Sequence, residues 1–194
     1  MRPAHLRVGG GKPPVLAAAT VLSGRHEVQV FETPFLKTFR MLRVNDLSSP
    51  HAAWYGLALG PGRDLRRIRG PREFNEILVL DGTEPAAHAK PLFETYLDIT
   101  YPQDVAYQRV ASASEIRWVT TRTPEQEAAR SAVFEKFGSA IRPIEPVASG
   151  DSATAEGWTV IDRRLVRHPL TVKDANVADG YVIEAKDLPS PVAR

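Results

Sequence analysis

The sequence predicts an α+β domain in which helices and a mixed sheet form two packed layers. Three observations predict this fold class. Segments that alternate polar and apolar residues, as strands do, take turns with segments whose apolar residues recur at helical spacing. Glycines and prolines mark turns between these segments. The 194-residue chain is 43% hydrophobic and contains no cysteine, so it can bury a sizeable core without disulfides.

The first half of the chain is predicted to contain three strands and one helix. His26–Phe31 alternates polar and apolar residues, which is typical of a strand. Pro34–Leu42 opens with proline and spaces its apolar residues helically, so a helix is expected there. Two further strands are expected at Ala52–Leu59 and Phe74–Leu80, the second ended by the turn-forming pair Asp81-Gly82.

Thr83–Ile99 is predicted to be a long helix, because its apolar residues form a stripe at helical spacing. Pro91 lies inside this segment and is expected to kink or split the helix. A strand over Glu115–Thr120 and a final extended segment over Ile141–Ala148 are expected on either side of the next helix.

The clearest helix signal of the chain begins at Thr123. Thr123 is expected to be the N-cap, Pro124 the first helical residue and Gln126 the partner that completes a capping box. Gly138 is expected at the C-cap. The residues predicted to face the core are Ala129, Val133, Phe134 and Phe137.

Residues 25–162 are expected to form the domain, between an N-terminal arm over residues 1–24 and a C-terminal tail over residues 163–194. The arm is basic, lacks acidic residues and is rich in glycine and proline, which is typical of an organellar transit peptide and equally of a flexible arm. The first interpretation predicts a mitochondrial location. The tail shows little periodicity and is expected to run extended, with few contacts of its own.

The charge of the chain is unevenly distributed. Residues 1–72 carry 12 basic and 4 acidic side chains, and the remaining residues carry 13 and 19. This polarity suits contact with protein subunits of a large complex, or with RNA or another anionic surface through the basic half, and it also fits an ordinary solvated surface. No transmembrane segment and no cofactor are expected. No metal site is expected either, because the five histidines, His168 among them, are scattered along the chain.

Part of the sequence resembles the methionine sulfoxide reductase A family over about residues 26–162. The residues that carry the resemblance are Leu92-Phe93, Tyr96-Leu97, Asp98-Ile99, Pro102, Gln108, Arg117, the helix TPEQEAARSAVFEKFG and Ala155-Glu156. The resemblance implies the family's fold, a two-layer α+β sandwich with a ferredoxin-like core and a mixed sheet, here extended by the two tails.

The same resemblance implies that the chain is a catalytically dead member, a pseudoenzyme. In the family a cysteine thiolate attacks the sulfoxide sulfur, and a glutamate donates a proton to the departing oxygen. Phe31 or Pro34 takes the place of that cysteine, and only the acid is kept, as Glu76. The other matched site positions hold Asp64, Ala111, Ala113, Ile116 and Thr159-Val160. Glu76 is therefore expected to be a remnant without a catalytic role.

Gly60–Arg72 is expected to be a turn-rich loop whose arginines can bind phosphates or carboxylates of a partner. These arginines are Arg63, Arg66, Arg67, Arg69 and Arg72. The resemblance places the loop at the mouth of the former active site, which indicates that this surface has been reused for partner binding. The alternative is a solvated loop.

Two functions of different classes remain open. The first is a structural or accessory subunit of a large assembly, expected to be a mitochondrial respiratory-chain complex or the mitochondrial ribosome. The second is a module that still binds a small ligand in the former reductase pocket, or a residual enzyme. The tails, the uneven charge and the missing catalytic residues favour the first.

Overall fold

The computed structural model describes residues 26–46, 53–101, 105–120 and 123–190. Within these ranges the chain forms two antiparallel sheets and three α-helices, so the predicted α+β class is confirmed. The arm predicted for residues 1–24 and the matched residue Pro102 lie outside the described residues.

The described helices are α1 (Pro71–Asp81), α2 (Ala89–Thr100) and α3 (Pro124–Phe137). The strands are β1 (His26–Val30), β2 (Arg40–Asp46), β3 (Ala53–Leu59), β4 (Leu65–Ile68), β5 (Tyr107–Val110), β6 (Val147–Ser149), β7 (Ser152–Ile161), β8 (Arg164–Lys173), β9 (Asn176–Asp179) and β10 (Val182–Ala185). Sheet 1 has the order β1-β2-β3-β4. Sheet 2 has the order β10-β8-β7-β5, with β6 on β7 and β9 on β8.

The predicted mixed sheet is wrong, because every pairing between the described strands is antiparallel. Several neighbouring strands are joined by tight connections, which can link only antiparallel neighbours, whereas parallel pairs need a long crossover. The segment predicted as a strand at Glu115–Thr120 is a short 3-10 turn followed by irregular backbone. The strand β5 was not predicted.

The helix predicted at Pro34–Leu42 is also wrong. Residues 34–39 form turns, and β2 begins at Arg40. The apolar spacing reflects burial without a helix, since Phe35, Leu36 and Phe39 are all at most 5% exposed. Side-chain hydrogen bonds from another part of the chain hold these turns, so local spacing does not decide their structure.

The strand predicted at Phe74–Leu80 is part of helix α1. Pro71 occupies the first turn and Gly82 ends the helix in the left-handed conformation, with φ at 60°. Phe74, Ile77 and Leu78 are buried at i, i+3 and i+4, which is helical periodicity. The β-forming composition of the segment therefore gave the wrong prediction.

Helix α2 begins at Ala89, so Pro91 lies in its first turn, where proline is tolerated. A 3-10 turn at Pro85–His88 precedes the helix, so the predicted segment is divided, but the division lies before Ala89 and not at Pro91, as predicted. The four residues of the predicted apolar stripe are buried: Leu92, Phe93, Tyr96 and Leu97.

The capping box of α3 is confirmed. The Gln126 N–H donates to Oγ1 of Thr123 at 3.3 Å, and the Thr123 N–H donates to Oε1 of Gln126 at 3.0 Å. Gly138 is the C-cap. Val133 and Phe137 are buried and Phe134 is half-buried, but Ala129 is exposed, contrary to prediction. The first turns of α3 therefore lie farther from the core than its last turn.

The predicted C-terminal tail is wrong. Strand β8 pairs with β7 along ten residues, from Arg164 opposite Ile161 to Lys173 opposite Ser152. Four of its apolar side chains are at most 1% exposed: Leu165, Val166, Leu170 and Val172. Charged residues and one proline interrupt the apolar pattern of β8, and these interruptions hid its strand periodicity. Pairing with the hydrophobic strand β7 buries the apolar side chains of β8 nonetheless.

Helix α2 lies between the two sheets and contacts both β3 and β7. Glycines in those strands allow the close approach. A Cβ on Gly56 would lie 2.5 Å from Cγ1 of Ile99, and a Cβ on Gly157 would lie 2.8 Å from Cδ1 of Leu97. The main core cluster consequently includes residues of both sheets, α1 and α2. A second cluster lies between α3 and the other face of sheet 2.

Candidate functional site

The five arginines predicted to bind a partner occupy a turn, a strand and a helix rather than one loop. Arg63 ends a 3-10 turn, Arg66 and Arg67 lie in β4, and Arg72 lies in the first turn of α1. Arg69 lies between β4 and α1 and is exposed. Sheet pairing with β3 orders the middle of this segment, which the turn-rich composition did not predict.

Only two of these arginines line a common depression, which we call the α1 groove. It is shallow, holds about 580 Å³ and is lined by Arg66, Arg72, Asn75, Glu76, Val79, Leu80 and Asn176. Arg67 follows Arg66 in the strand, so its side chain points to the opposite face of sheet 1. There its guanidinium lies over the ring of Tyr55, 5.3 Å from the centroid.

Ion pairs orient both groove arginines. Nε of Arg66 lies 2.8 Å from Oδ2 of Asp64, and Nε of Arg72 lies 2.9 Å from Oε1 of Glu76. The side chains of Arg66 and Arg72 are 45% and 85% exposed. A guanidinium has five N–H donors, so a contact through Nε leaves the outer fork able to bind a further carboxylate.

Glu76, the predicted remnant of a catalytic acid, lies on the surface of α1, where a strand was expected from the sequence. Its partner is Arg72. Of the other matched positions, Phe31 packs against the main core, Asp64 pairs with Arg66, and Thr159 is buried in sheet 2. Of these positions, Glu76 lines the groove, whereas Phe31, Asp64 and Thr159 do not.

Exposed apolar residues form the other end of the α1 groove. Val79 is 65% exposed and Leu80 is 54% exposed, although Ile77 and Leu78 just before them are at most 2% exposed. Together with Arg72 and Glu76 they follow the spacing i, i+4, i+7 and i+8, which is one stripe of a helix. The sequence did not predict this stripe, because the segment was assigned to a strand.

The floor of the groove is fixed by the side-chain amide of Asn75. Its Oδ1 accepts a hydrogen bond from the Val177 N–H at 3.0 Å, and its Nδ2 donates to the Val177 carbonyl at 2.9 Å. The same Nδ2 donates to Oδ1 of Asn176 at 2.8 Å. Asn75 thus pairs with the edge of β9 as a neighbouring strand would, and it joins α1 to sheet 2.

A buried polar cluster connects α2 to sheet 2, and the sequence did not predict it. His168 is fully buried in β8, with Nε2 lying 2.8 Å from Oγ1 of Thr159 and Nδ1 lying 2.9 Å from the Tyr101 hydroxyl. Asp179 of β9 accepts hydrogen bonds from the hydroxyls of Tyr101 at 2.5 Å and Tyr96 at 2.7 Å. Both ring nitrogens of His168 therefore have partners within the protein.

The environment of this cluster shifts the ionisation of its members. Burial raises the pKa of Asp179, but hydrogen bonds from His168, Tyr101 and Tyr96 outweigh burial and leave this pKa below its ordinary value. Burial, together with hydrogen bonding to Asp179, raises the pKa values of Tyr96 and Tyr101. The carboxylate is consequently ionised and the tyrosines protonated, the state in which all these hydrogen bonds form.

The pattern that could have revealed the cluster is the alternation of β8, in which His168 shares a face with Leu170 and Val172. The tail prediction hid that alternation. Beside the cluster, Arg109 binds Asp98 through Nε at 3.0 Å and through an outer nitrogen at 3.1 Å. Within the described ranges, no three acidic or histidine side chains are grouped so that they could hold a metal ion.

None of the described helices is both long and apolar enough to cross a bilayer. Comparison of the chain with protein-family models found no match, and comparisons with curated proteins and with solved structures found none either. The resemblance to methionine sulfoxide reductase A therefore stays a prediction.

Proposed function

We propose that this protein is a non-catalytic accessory subunit that binds a partner protein of a larger assembly through the α1 groove. The observation that carries the proposal is the exposure of Val79 and Leu80, at 65% and 54%, beside Arg66 and Arg72. An apolar centre bordered by arginine is the usual composition of a protein–protein interface.

The energetic scale supports a contact within a larger interface. Fully burying a valine or leucine side chain stabilises a complex by about 1.5–3 kcal/mol, so covering the exposed parts of both residues would contribute roughly 2–3 kcal/mol. Association costs more than this in lost translational and rotational freedom. The α1 groove would therefore act together with other surfaces of the chain, as expected of a subunit held at several points.

The non-catalytic part of the proposal rests on the reductase resemblance. The chain has no cysteine for the thiolate step, and Glu76 is engaged on a helix surface by Arg72. The basic composition of residues 1–24 supports a mitochondrial assembly, either a respiratory-chain complex or the mitochondrial ribosome. The same proposal includes the fold of the reductase family, with a ferredoxin-like core, in a chain that has lost the reductase activity.

A second candidate function is the binding of a small ligand near the polar cluster of Tyr96, Tyr101, His168 and Asp179. Groups with shifted pKa values concentrate at functional sites, which favours this candidate. The hydrogen bonds that these groups form with one another favour a structural role instead. Partner binding is therefore the function that the exposed residues support better.

The test is site-specific photo-crosslinking in the native assembly. Benzoylphenylalanine replaces Val79 in one variant and Val147 in a control, since these residues are 65% and 69% exposed and only Val79 lines the groove. We expect a discrete crosslinked partner from position 79 and none from position 147. Equal crosslinking at both positions, or none at position 79, would exclude the α1 groove as the interface.

A further inference from the structure

We infer that the α1 groove takes an extended segment of a partner protein in which acidic residues and large apolar residues lie about three or four positions apart. The inference rests on the proposed function and names the chemistry of the partner at that site. It follows from the arrangement of charge, apolar surface and hydrogen-bonding groups along α1.

The groove has a cationic end and an apolar end. Arg72 lies in the first turn of α1, with Arg66 of β4 also lining the groove, whereas Val79 and Leu80 lie in the last turn. At 1.5 Å per residue, the two ends are about 11 Å apart along the helix axis. A ligand that satisfies both ends must present a negative group and an apolar group at this separation.

The exposed guanidiniums at the cationic end select an acidic ligand. The charged side chains that line the groove are two arginines, Arg66 and Arg72, and one carboxylate, Glu76. The guanidinium of Arg72 extends into solvent, with 85% of its side chain exposed. Partner carboxylates at this end would form charge-assisted hydrogen bonds with the guanidinium forks.

The middle of the groove favours an extended segment over a helix. Asn75 donates to Oδ1 of Asn176, which lines the groove, so this contact does not use the amide nitrogen of Asn176 as a donor. An extended peptide has backbone carbonyls that need such donors, whereas a helix satisfies its own. Extended residues advance about 3.3 Å each, so about 11 Å corresponds to three or four residues.

The apolar end favours protein over RNA as the ligand. The groove residues at this end are Val79 and Leu80, and no described residue lining the groove is aromatic. Single-stranded nucleic acid binds through base stacking on aromatic rings in addition to phosphate contacts. Aliphatic side chains instead suit leucine, isoleucine or valine of a protein segment.

The experiment uses the full chain and two fluorescein-labelled peptides of identical composition. GEESSLLG has the inferred spacing between glutamate and leucine, whereas in GLEELSSG no glutamate and leucine are more than two positions apart. We expect GEESSLLG to bind more tightly by about tenfold in fluorescence anisotropy, because only it reaches both ends of the groove. The double variant Arg66→Glu/Arg72→Glu should lose this preference and instead prefer GKKSSLLG.

Arg142→Glu, a charge reversal of an exposed residue that does not line the groove, is the matched control and should leave the binding of both peptides unchanged. Equal binding of the two glutamate peptides, including no binding by either, overturns the inference. The inference is also overturned if an oligouridylate binds the parent as tightly as GEESSLLG does and no longer binds the double variant. If a crosslink from position 79 is still found under either of these results, the proposed partner binding stands and only the inferred ligand chemistry fails. The failure of the inference can therefore be distinguished from the failure of the proposed function.

Discussion

At the scale of single residues, Asp81 determines the path of the chain before β2. Its carboxylate lies at the end of α1, 7% exposed, and accepts hydrogen bonds from the backbone N–H groups of Lys37, Thr38 and Phe39. The Thr38 hydroxyl donates to it as well, at 2.5 Å. One side chain thus satisfies three backbone donors that regular structure would otherwise pair.

Asp81→Asn is expected to lower the free energy of unfolding by about 1–3 kcal/mol. The backbone N–H groups of residues 37–39 need acceptors, and the asparagine amide would replace one acceptor oxygen with an NH₂ group. Burial raises the pKa of Asp81, but hydrogen bonds from Thr38, Lys37 and Phe39 outweigh burial and lower this pKa below its ordinary value. The stabilisation is therefore complete above about pH 4–5 and is lost as the pH falls through the lowered pKa.

Urea unfolding between pH 7 and pH 2 measures both effects. The parent should lose stability on acidification more steeply than the Asn variant, which lacks this titrating group. Asp151→Asn is the control, because Asp151 is exposed and its substitution should change stability by less than about 0.5 kcal/mol. Parallel pH profiles for the parent and Asp81→Asn would show that the carboxylate bonds do not contribute.

The sequence identified the arginines of the site but not their arrangement. Residue type alone predicts that arginines bind carboxylates, whereas the side of β4 on which each lies depends on sheet pairing. Arg66 and Arg67 therefore separated onto opposite faces. Val79 and Leu80 were not predicted as exposed, because their β-forming character concealed a helical stripe. Long-range contacts, which local patterns do not record, decided each of these positions.

At the scale of elements, the position of α2 between the sheets depends on glycine in both flanking strands. Gly56→Ala should lower the free energy of unfolding by about 1–3 kcal/mol, because its Cβ would overlap Ile99. Gly157→Ala should cost less, because the three atoms nearest to its Cβ are the ends of flexible side chains, led by Cδ1 of Leu97 at 2.8 Å. Thermal unfolding followed by circular dichroism measures both changes.

Gly70→Ala serves as the control for these substitutions. Gly70 has an extended φ of 177°, and the atom nearest to an added Cβ is Oε2 of Glu73 at 3.9 Å. An alanine there is expected to be close to neutral. If Gly56→Ala were as well tolerated as Gly70→Ala, α2 would have room to shift, and the tight contact with β3 would not be required for stability.

Elements with strong local signals were predicted well, and elements held by distant groups were not. The capping box at Thr123 lies within four residues, so the sequence contains all of it. The turns at residues 34–39 depend on Asp81, more than forty residues away in the chain. Their apolar spacing correctly indicated burial but could not distinguish a helix from turns packed into the core.

At the scale of the whole molecule, residues 163–190 are part of the folded body. A chain that ends after Ile161 loses β8, β9 and β10, which exposes β7 along its whole length and removes His168 and Asp179 from the polar cluster. We expect this truncated chain to be unfolded or aggregated. Circular dichroism and size-exclusion chromatography measure the outcome.

Addition of a separate peptide spanning residues 163–194 provides the internal control, because it supplies the missing strands without a covalent link. Partial recovery of the sheet signal is expected on mixing. A truncated chain that unfolds cooperatively on its own, with the parent's stability, would restore the interpretation of this segment as a tail.

The overall class could be predicted because α+β composition follows from local periodicities, and both helical and strand periods are present. The number and direction of the sheets could not. One mixed sheet was predicted, whereas the described strands form two antiparallel sheets on either side of α2. That division depends on pairing between β7 and β8, whose apolar alternation is interrupted by charged residues.

The late position of β8 in the chain has a consequence for synthesis on the ribosome. Sheet 1 is a meander of strands adjacent in sequence, so its pairing can begin once residue 68 has emerged. Strand β5 pairs with β7 about fifty residues later, and β7 is incomplete until β8 follows. During that interval the nascent chain exposes the apolar face of α2, so chaperones that shield such surfaces should engage it between emergence of α2 and release of β8.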